Sequence, residues 1–427
     1  MRIDSIRTGC SVAAAAILVL GGSAMASPGR PIPASAQLPV PASDPAVREA
    51  LEYLRASEPE TIADQVALCE IPAPPFGEQA RGEAYRERFA ALGLAGVRVD
   101  DEGNVLGEIG AGAPLVVLSA HLDTVFPVGT DVSVLPDGPI LTGPGIGDDC
   151  RGLGVVLAVA RSLRRSGIEP AGTIVFVGTV GEEGPGDLRG VKRLFDETLA
   201  GRIDYFISVD GAGYGVTRSA VGSNRYEVTF HGPGGHSYGA FGMPNPIHAL
   251  GRAIAKLADI EVPADPKTTF SVGLVEGGTS VNSIAYETTM TVDLRSESPE
   301  ALADLDRRFR AAVRQALDEE RGRWSSDVPL DVRIESIGVR PAGEQPVTAP
   351  IVQAAIATAE QLGFEAATNA SSTDANIPMS LGIPAVTIDG GGDGDGAHSL
   401  DETFDTTGSH LGTQWALLLV LTLVGLE

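Results

Sequence analysis

Residues 114–123 read PLVVLSAHLD, an unbroken apolar run that ends in His121 and, two residues later, Asp123. A continuous apolar stretch of this length suits a strand buried on both faces, as in a parallel sheet covered by helices. The same grammar recurs outward along the chain. TIVFVGTV (173–180) is followed by Gly181, Glu182 and Glu183, and IDYFISV (203–209) is followed by Asp210. PAVTI (384–388) is followed by Asp389 and a glycine-rich stretch that reaches His398. Helical patterns lie between these runs, so the fold class is α/β, a mostly parallel sheet with helices on both faces.

Residues 217–340 change character. RYEVTF (225–230) alternates polar and apolar residues, and a helix follows at 246–258. Strands near 268–275 and 286–294, a long charged helix at 299–321 and a strand at 328–337 complete the order β-α-β-β-α-β. That order predicts an inserted ferredoxin-like α+β domain. The α/β domain therefore spans 45–216 and resumes over 341–427, where the apolar run Trp415 to Leu426 reads as a buried closing helix.

The first 26 residues are read as a targeting segment. Arg2 and Arg7 precede the eleven-residue apolar run CSVAAAAILVL (10–20), and Ala24-Met25-Ala26 is a small-x-small cleavage pattern. This predicts a secretory signal peptide cut after Ala26, an extended leader over 27–44 and a secreted or periplasmic protein. Cys69 and Cys150 then remain, too few for a disulfide framework. One bridge between them is conceivable, but Cys150 reads as a free, enclosed thiol. The 427 residues carry a net charge of −25, with 43% apolar and 20% charged residues. Wholesale disorder is excluded by that composition, and so is a general basic surface for nucleic acid.

In open α/β sheets, sites form beyond the C-terminal ends of the strands. Here those ends deliver His121, Asp123, Glu182, Glu183, Asp210 and His398 to one rim, joined by Asp148-Asp149 in GPGIGDDCRG (143–152). Imidazole with carboxylate suits zinc and, less specifically, manganese or cobalt. So many ligands exceed one tetrahedral ion, whereas a pair of ions can share a bridging carboxylate. On an extended segment His121 and Asp123 point to the same side, so Asp123 is expected to accept the second imidazole N–H. Glu182 and Glu183 then point opposite ways, one toward a metal and the other toward substrate as general base.

The segments SAHLDTVFP (119–127), GPGIGDDCRG (143–152), GTVGEEGPGDLRG (178–190), SVDGAG (208–213), HGPGGHS (231–237), GGTSVNSIA (277–285), VDLRS (292–296) and SSTDANIPMSLGIPAVTIDGGG with AHSLDE (371–402) together carry a resemblance. They resemble the zinc exopeptidase and amidase family of peptidase T, glutamate carboxypeptidase, acetylornithine deacetylase, succinyl-diaminopimelate desuccinylase and aminoacylase. The resemblance runs in order across almost the whole mature chain. It implies that two Zn2+ (or Mn2+ or Co2+) are held by His121, Asp210, Glu183 and His398, with Asp148 as the bridging carboxylate. It further implies Glu182 as general base and Asp123 as the residue that orients His121. The inserted domain would serve as lid and dimerisation domain of a homodimer, with His236 reaching the partner's site to stabilise the oxyanion. Asn282 and Arg295 would contact the substrate, and Arg295 would hold its carboxylate. The chain departs from the family in one place: relatives usually have lysine in the loop where this sequence has Cys150-Arg151.

Other readings of the same residues are weaker. Gly235-His-Ser237-Tyr-Gly239 fits a G-x-S-x-G nucleophile elbow, but Pro244 and Pro246 delay the helix that such an elbow needs. A serine hydrolase using Ser237 would also leave Asp148, Glu182, Glu183 and Asp210 without work. The run from Asp389 to Asp395 resembles a calcium loop, but lacks the closing glutamate, and reads as a flexible loop presenting His398. His231, His248 and His410 read as structural. The expectation is a metal-dependent, di-zinc hydrolase of amide bonds in small peptides or N-acyl amino acids. Alternatives are a deacetylase or desuccinylase of the same family and a non-catalytic secreted metal- or peptide-binding protein. No membrane span and no nucleic-acid partner are expected.

Overall fold

The computed structural model describes residues 42–426. The expected signal peptide, and all of the expected leader up to residue 41, lie outside the described residues. Helices α1 (Pro45–Ala56), α2 (Glu58–Cys69) and α3 (Gln79–Ala91) open the chain. There follow β1 (Ala95–Val99), β2 (Val105–Gly110), β3 (Leu115–His121), α4 (Cys150–Ser166), β4 (Thr173–Thr179), β5 (Tyr205–Val209) and β6 (Gly215–Ala220). The inserted unit comprises β7 (Gly222–His231), α5 (Pro246–Ala258), β8 (Thr268–Gly277), β9 (Glu287–Ser296), α6 (Pro299–Gly322) and β10 (Asp331–Arg340). The chain then returns through β11 (Gly343–Glu344), α7 (Pro350–Gln361), β12 (Ala367–Ser371), β13 (Ala385–Ile388) and α8 (His410–Val424).

The large sheet has the order β1-β2-β4-β3-β5-β13-β6-β11, with β12 beside β6. Its centre, β4-β3-β5-β13, is parallel, while β1, β2 and β11 join antiparallel. Every residue of β3 and β4 is buried, which is why neither strand alternates in sequence. α4 begins where the Asp149 side chain accepts the Gly152 N–H and ends at Gly167 in the left-handed region (φ +65°). It packs against α1, α2 and α8, and so is buried over most of its length. The closing helix α8 is buried as expected, with the Trp415 indole N–H donating to the Ala355 carbonyl at 2.9 Å. No described helix is long and apolar enough to cross a membrane.

The inserted sheet runs β8-β9-β7-β10, antiparallel throughout. β9 alternates buried and less buried residues, so one face lies on α5 and α6. On α6, Leu302, Leu305, Phe309, Val313 and Ala316 supply the buried stripe at helical spacing. The boundary expected at 217 falls inside β6, which belongs to the large sheet, and the hand-over comes at Val221. The expected flexible loop after Asp389 is also more ordered than its composition suggests. Asp393–Asp395 pairs with Thr403–Asp405, which continues onto Ile140–Thr142, so a small sheet carries the glycine-rich segment.

Candidate metal centre and active site

β3 ends at His121, where parallel pairing on both sides leaves the imidazole at the rim. Its Nδ1 lies 3.0 Å from the Asp123 carbonyl oxygen. A carbonyl only accepts, so Nδ1 carries the proton and Nε2 faces the cavity. Nε2 lies 3.0 Å from Asp148 Oδ1 and 3.9 Å from Asp210 Oδ1. The Asp123 carboxylate stands 3.7 Å from Nδ1, farther than a hydrogen bond. Its oxygens instead accept the Glu182 N–H (3.0 Å) and the Glu183 N–H (2.8 Å). This corrects the expected role of Asp123: its backbone orients His121, and its side chain fixes the turn carrying both glutamates.

The two members of Asp148-Asp149 do different work. Asp149 is fully buried and accepts three backbone N–H groups, from His121 (3.0 Å), Gly152 (3.0 Å) and Gly211 (3.3 Å). Asp148 faces the cavity. Its Oδ1 lies 3.0 Å from His121 Nε2 and its Oδ2 lies 3.1 Å from His398 Nε2. His398 Nε2 is also 3.0 Å from Glu183 Oε1. His398 reaches this position with φ +67°, a left-handed conformation that costs a non-glycine residue of order 1 kcal/mol and is found at functional sites.

Electrostatics sharpen the picture. Burial disfavours a charged Asp148, yet His121 and His398 hold its pKa below the usual carboxylate range. Burial also opposes protonation of His121, but Asp123 and Asp148 beside it push its pKa well above the ordinary value. Asp148 and Glu183 raise His398 to about 10. Burial pushes Asp210 well up, and His121 only partly offsets this. Buried anions facing imidazole lone pairs demand a cation, either protons or metal. The donor geometry fits metal. His121, Asp148 and Asp210 offer atoms within 4.8 Å of one another, as do Asp148, Glu183 and His398. The two sets share Asp148, whose oxygens point one to each.

Glu182 sits beside this cluster, buried, with Oε1 2.9 Å from Arg340 Nη1. Arg340 Nη2 donates to the Glu182 carbonyl, and Nη1 also reaches Ser372 Oγ at 3.1 Å. Burial raises Glu182 to about 8, against the pull of Arg340. The rim opens into a cavity of about 510 Å³, within the range of small-molecule sites. Arg295 lines it, held by Asp293 at 2.7 Å, and Arg225 joins it, donating to the Gly184 carbonyl at 2.6 Å. His236 and Asn282 do not line the cavity of their own chain. His236 lies exposed on the short pairing of Gly235–His236 with Ser283–Ile284, and Asn282, also exposed, directly precedes that pairing. Ser237 sits in the turn after His236, with no helix until Pro246, so no nucleophile elbow forms.

Several residues escaped the sequence reading. Arg340 arrives from the last residue of β10, and nothing local marks it. Glu402 accepts the N–H groups of Gly145 (2.7 Å), Gly147 (2.8 Å) and Asp148 (2.8 Å), shaping the loop that presents Asp148. A Cβ on Gly147 would stand 2.9 Å from Glu402 Oε1, so the carboxylate would have to shift off its N–H donors to admit one. Arg151, the departure from lysine, is fully buried. It donates to the carbonyls of Gly390 (2.8 Å) and Ser409 (2.6 Å) and pairs with Glu58 (2.9 Å), fastening α4 to the base of the His398 segment. Cys69 and Cys150 are both buried free thiols, as read for Cys150. His231, read as structural, faces Glu287 across the β7-β9 pair at 3.2 Å.

Imidazoles and carboxylates gathered at the strand ends of a parallel sheet are the ligand set that a metal-dependent hydrolase uses. Residues 117–422 match the family described as Peptidase family M20/M25/M40, and the chain belongs to that family. It is accordingly a hydrolase of amide bonds that works with a divalent metal. YqjE of Bacillus subtilis (strain 168), described as uncharacterized, is 26% identical over 351 residues, which cover 78% of this chain and 90% of YqjE. A probable succinyl-diaminopimelate desuccinylase of Staphylococcus aureus (strain Mu50 / ATCC 700699) is 31% identical over 153 residues, 34% of this chain and 38% of that relative. Among solved structures, a tripeptidase from Staphylococcus aureus subsp. aureus Mu50 shares the fold, with a TM-score of 0.71 and 23% identity over 86% of this chain and 98% of that one.

Proposed function

We propose that this protein cleaves the amide bond of small peptides that carry a free carboxylate, using two zinc ions. The observation that carries the reading is Asp148, whose two oxygens lie 3.0 and 3.1 Å from two different imidazoles. His121 and Asp210 would hold one ion, Glu183 and His398 the other, with Asp148 shared. When bound, the ions polarise the scissile carbonyl and acidify water.

The protein's own groups supply the remaining steps. Glu182 stands beside the ligand cluster, with its pKa raised into the range suited to proton transfer near neutral pH. It takes a proton from the attacking water and returns it to the leaving amine. Arg340 keeps the Glu182 carboxylate aimed. Arg295, with Arg225 beside it, would receive the substrate carboxylate. N-acyl amino acids are the second reading, favoured by the partial match to a desuccinylase, since they too end in a carboxylate.

His236 and Asn282 support a homodimer in this proposal. Placed away from their own cavity and exposed, they suit contact with a partner's site. Export follows from the N-terminal pattern, and a mature N-terminus at Ser27 in secreted material would test it. The activity itself is tested by a panel of di- and tripeptides and N-acyl amino acids with zinc, manganese or cobalt. Chelator-sensitive cleavage is expected. Cleavage indifferent to chelator and sensitive to a serine-directed reagent would overturn the reading.

A further inference from the structure

The cavity has an acidic corner that the proposed chemistry does not use. Arg225, Arg295 and Arg340 are each engaged with a protein acceptor, so the cationic wall is held in place. Asp389, one residue beyond β13, lines the same cavity and has no ion-pair partner among the described residues. Its Oδ2 accepts the Gly215 N–H at 2.6 Å, whereas its Oδ1 makes no hydrogen bond to any described residue. The surroundings are built around this carboxylate. A Cβ on Gly213 would lie 2.7 Å from Oδ2, and one on Gly215 would lie 3.0 Å from it.

The position is also fixed relative to the reacting end. β13 runs parallel to β5 with Ile388 opposite Val209, so Asp389 leaves its strand at the level where Asp210 leaves the neighbouring one. Adjacent strands are about 4.8 Å apart, so a group resting against Asp389 lies about one residue from the metal rim. Burial raises Asp389 only to about 6, which leaves it ionised at neutral pH. A half-buried carboxylate without a cation is costly unless something cationic arrives.

We infer that Asp389 is a specificity-determining residue, forming a subsite for a cationic group of the substrate, a primary ammonium or a guanidinium. The inference rests on the hydrolase reading above and adds the charge of the substrate to it. The cavity would then recognise a zwitterion, with the carboxylate at the arginines and the cation at Asp389. The cation has two sources, the free α-ammonium of a peptide or a lysine or arginine side chain.

The test compares wild type with Asp389→Asn, which keeps an acceptor for the Gly215 N–H. Cleavage of Leu-Gly against N-acetyl-Leu-Gly reads the α-ammonium, and Lys-Gly against norleucyl-Gly reads the side chain, each with zinc added. Wild type should favour the cationic member of at least one pair about tenfold or more in kcat/KM. Asp389→Asn should lose that preference while still cutting the neutral member at a similar rate, with unchanged metal content. Binding of free lysine against norleucine, and of leucine against N-acetylleucine, to the zinc-loaded protein reads the subsite without turnover. Equal binding within both pairs by wild type, or a preference surviving in Asp389→Asn, overturns the inference. Absence of all cleavage with a binding preference intact would instead count against the hydrolase reading and leave the cation subsite supported.

Discussion

Arg340 holds Glu182 at two points, its Nη1 2.9 Å from the carboxylate and its Nη2 on the carbonyl. Both side chains are about 5% exposed, so the pair sits in low dielectric with little room for water. Its partner in sequence is 158 residues away, which links the end of the inserted unit to the turn bearing the proposed base. Replacing Arg340 with Met removes the charge that pulls the Glu182 pKa down. The acid limb of the kcat profile should then move to higher pH, and kcat should fall about 10–100-fold, with KM less affected. Arg340→Lys should restore part of both. Stability should drop by about 3–5 kcal/mol in the Met variant, as for other buried pairs broken on one side.

Asp148 and Asp149 should separate cleanly by metal analysis. Asp148→Ala is expected to reduce bound metal from two ions per chain to fewer than one, because both ligand sets lose their shared member. Asp149→Ala should retain the ligands but lose the α4 cap and two further N–H contacts. That should cost about 1–3 kcal/mol in denaturant unfolding.

The pH dependence of stability offers a check on Asp389. Its pKa is raised in the folded state from 3.8 to about 6, by burial. A folded state that binds the proton more tightly loses stability as pH rises through this window and levels off above it. Asn cannot ionise, so Asp389→Asn should match wild type near pH 4 and exceed it by about 1–3 kcal/mol above pH 6. A constant difference across pH 4–8 would contradict the assignment.

If His236 acts in a partner's site, two inactive variants should complement one another. A His236→Ala chain keeps its own Glu182, and a Glu182→Ala partner supplies His236. After subunit exchange, roughly a quarter of wild-type activity should return, one working site in each mixed dimer of a two-fold assembly. Additive, unrescued activity would mean that His236 serves its own chain or none.

The rim was legible because a parallel sheet lets the residue after each strand be read locally. His121 ends a strand, Glu182, Glu183 and Asp210 follow strands closely, His398 is reached through the glycine-rich stretch beyond β13, and Asp148 heads a helix. What was hidden reaches the site through space. Glu402 sits about 255 residues from the Gly147 N–H that it holds, and Arg340 ends a strand of the other sheet. The two-residue spacing puts Asp123 on the correct side, but nothing local marks the two N–H groups of the Glu182 turn, which compete successfully for its carboxylate. Asp389 looked like part of a glycine loop, because only the Gly213 and Gly215 backbones reveal the space kept for it.

Metal held by this rim and proton transfer by Glu182 are together expected to hydrolyse an amide. The most direct measurement pairs turnover with metal content in wild type and Glu182→Ala, on whichever peptide the panel shows to be cut. Two ions per chain are expected in both proteins, with a loss of kcat of about 10²–10⁴-fold in the variant. Near-wild-type turnover by metal-loaded Glu182→Ala would contradict it.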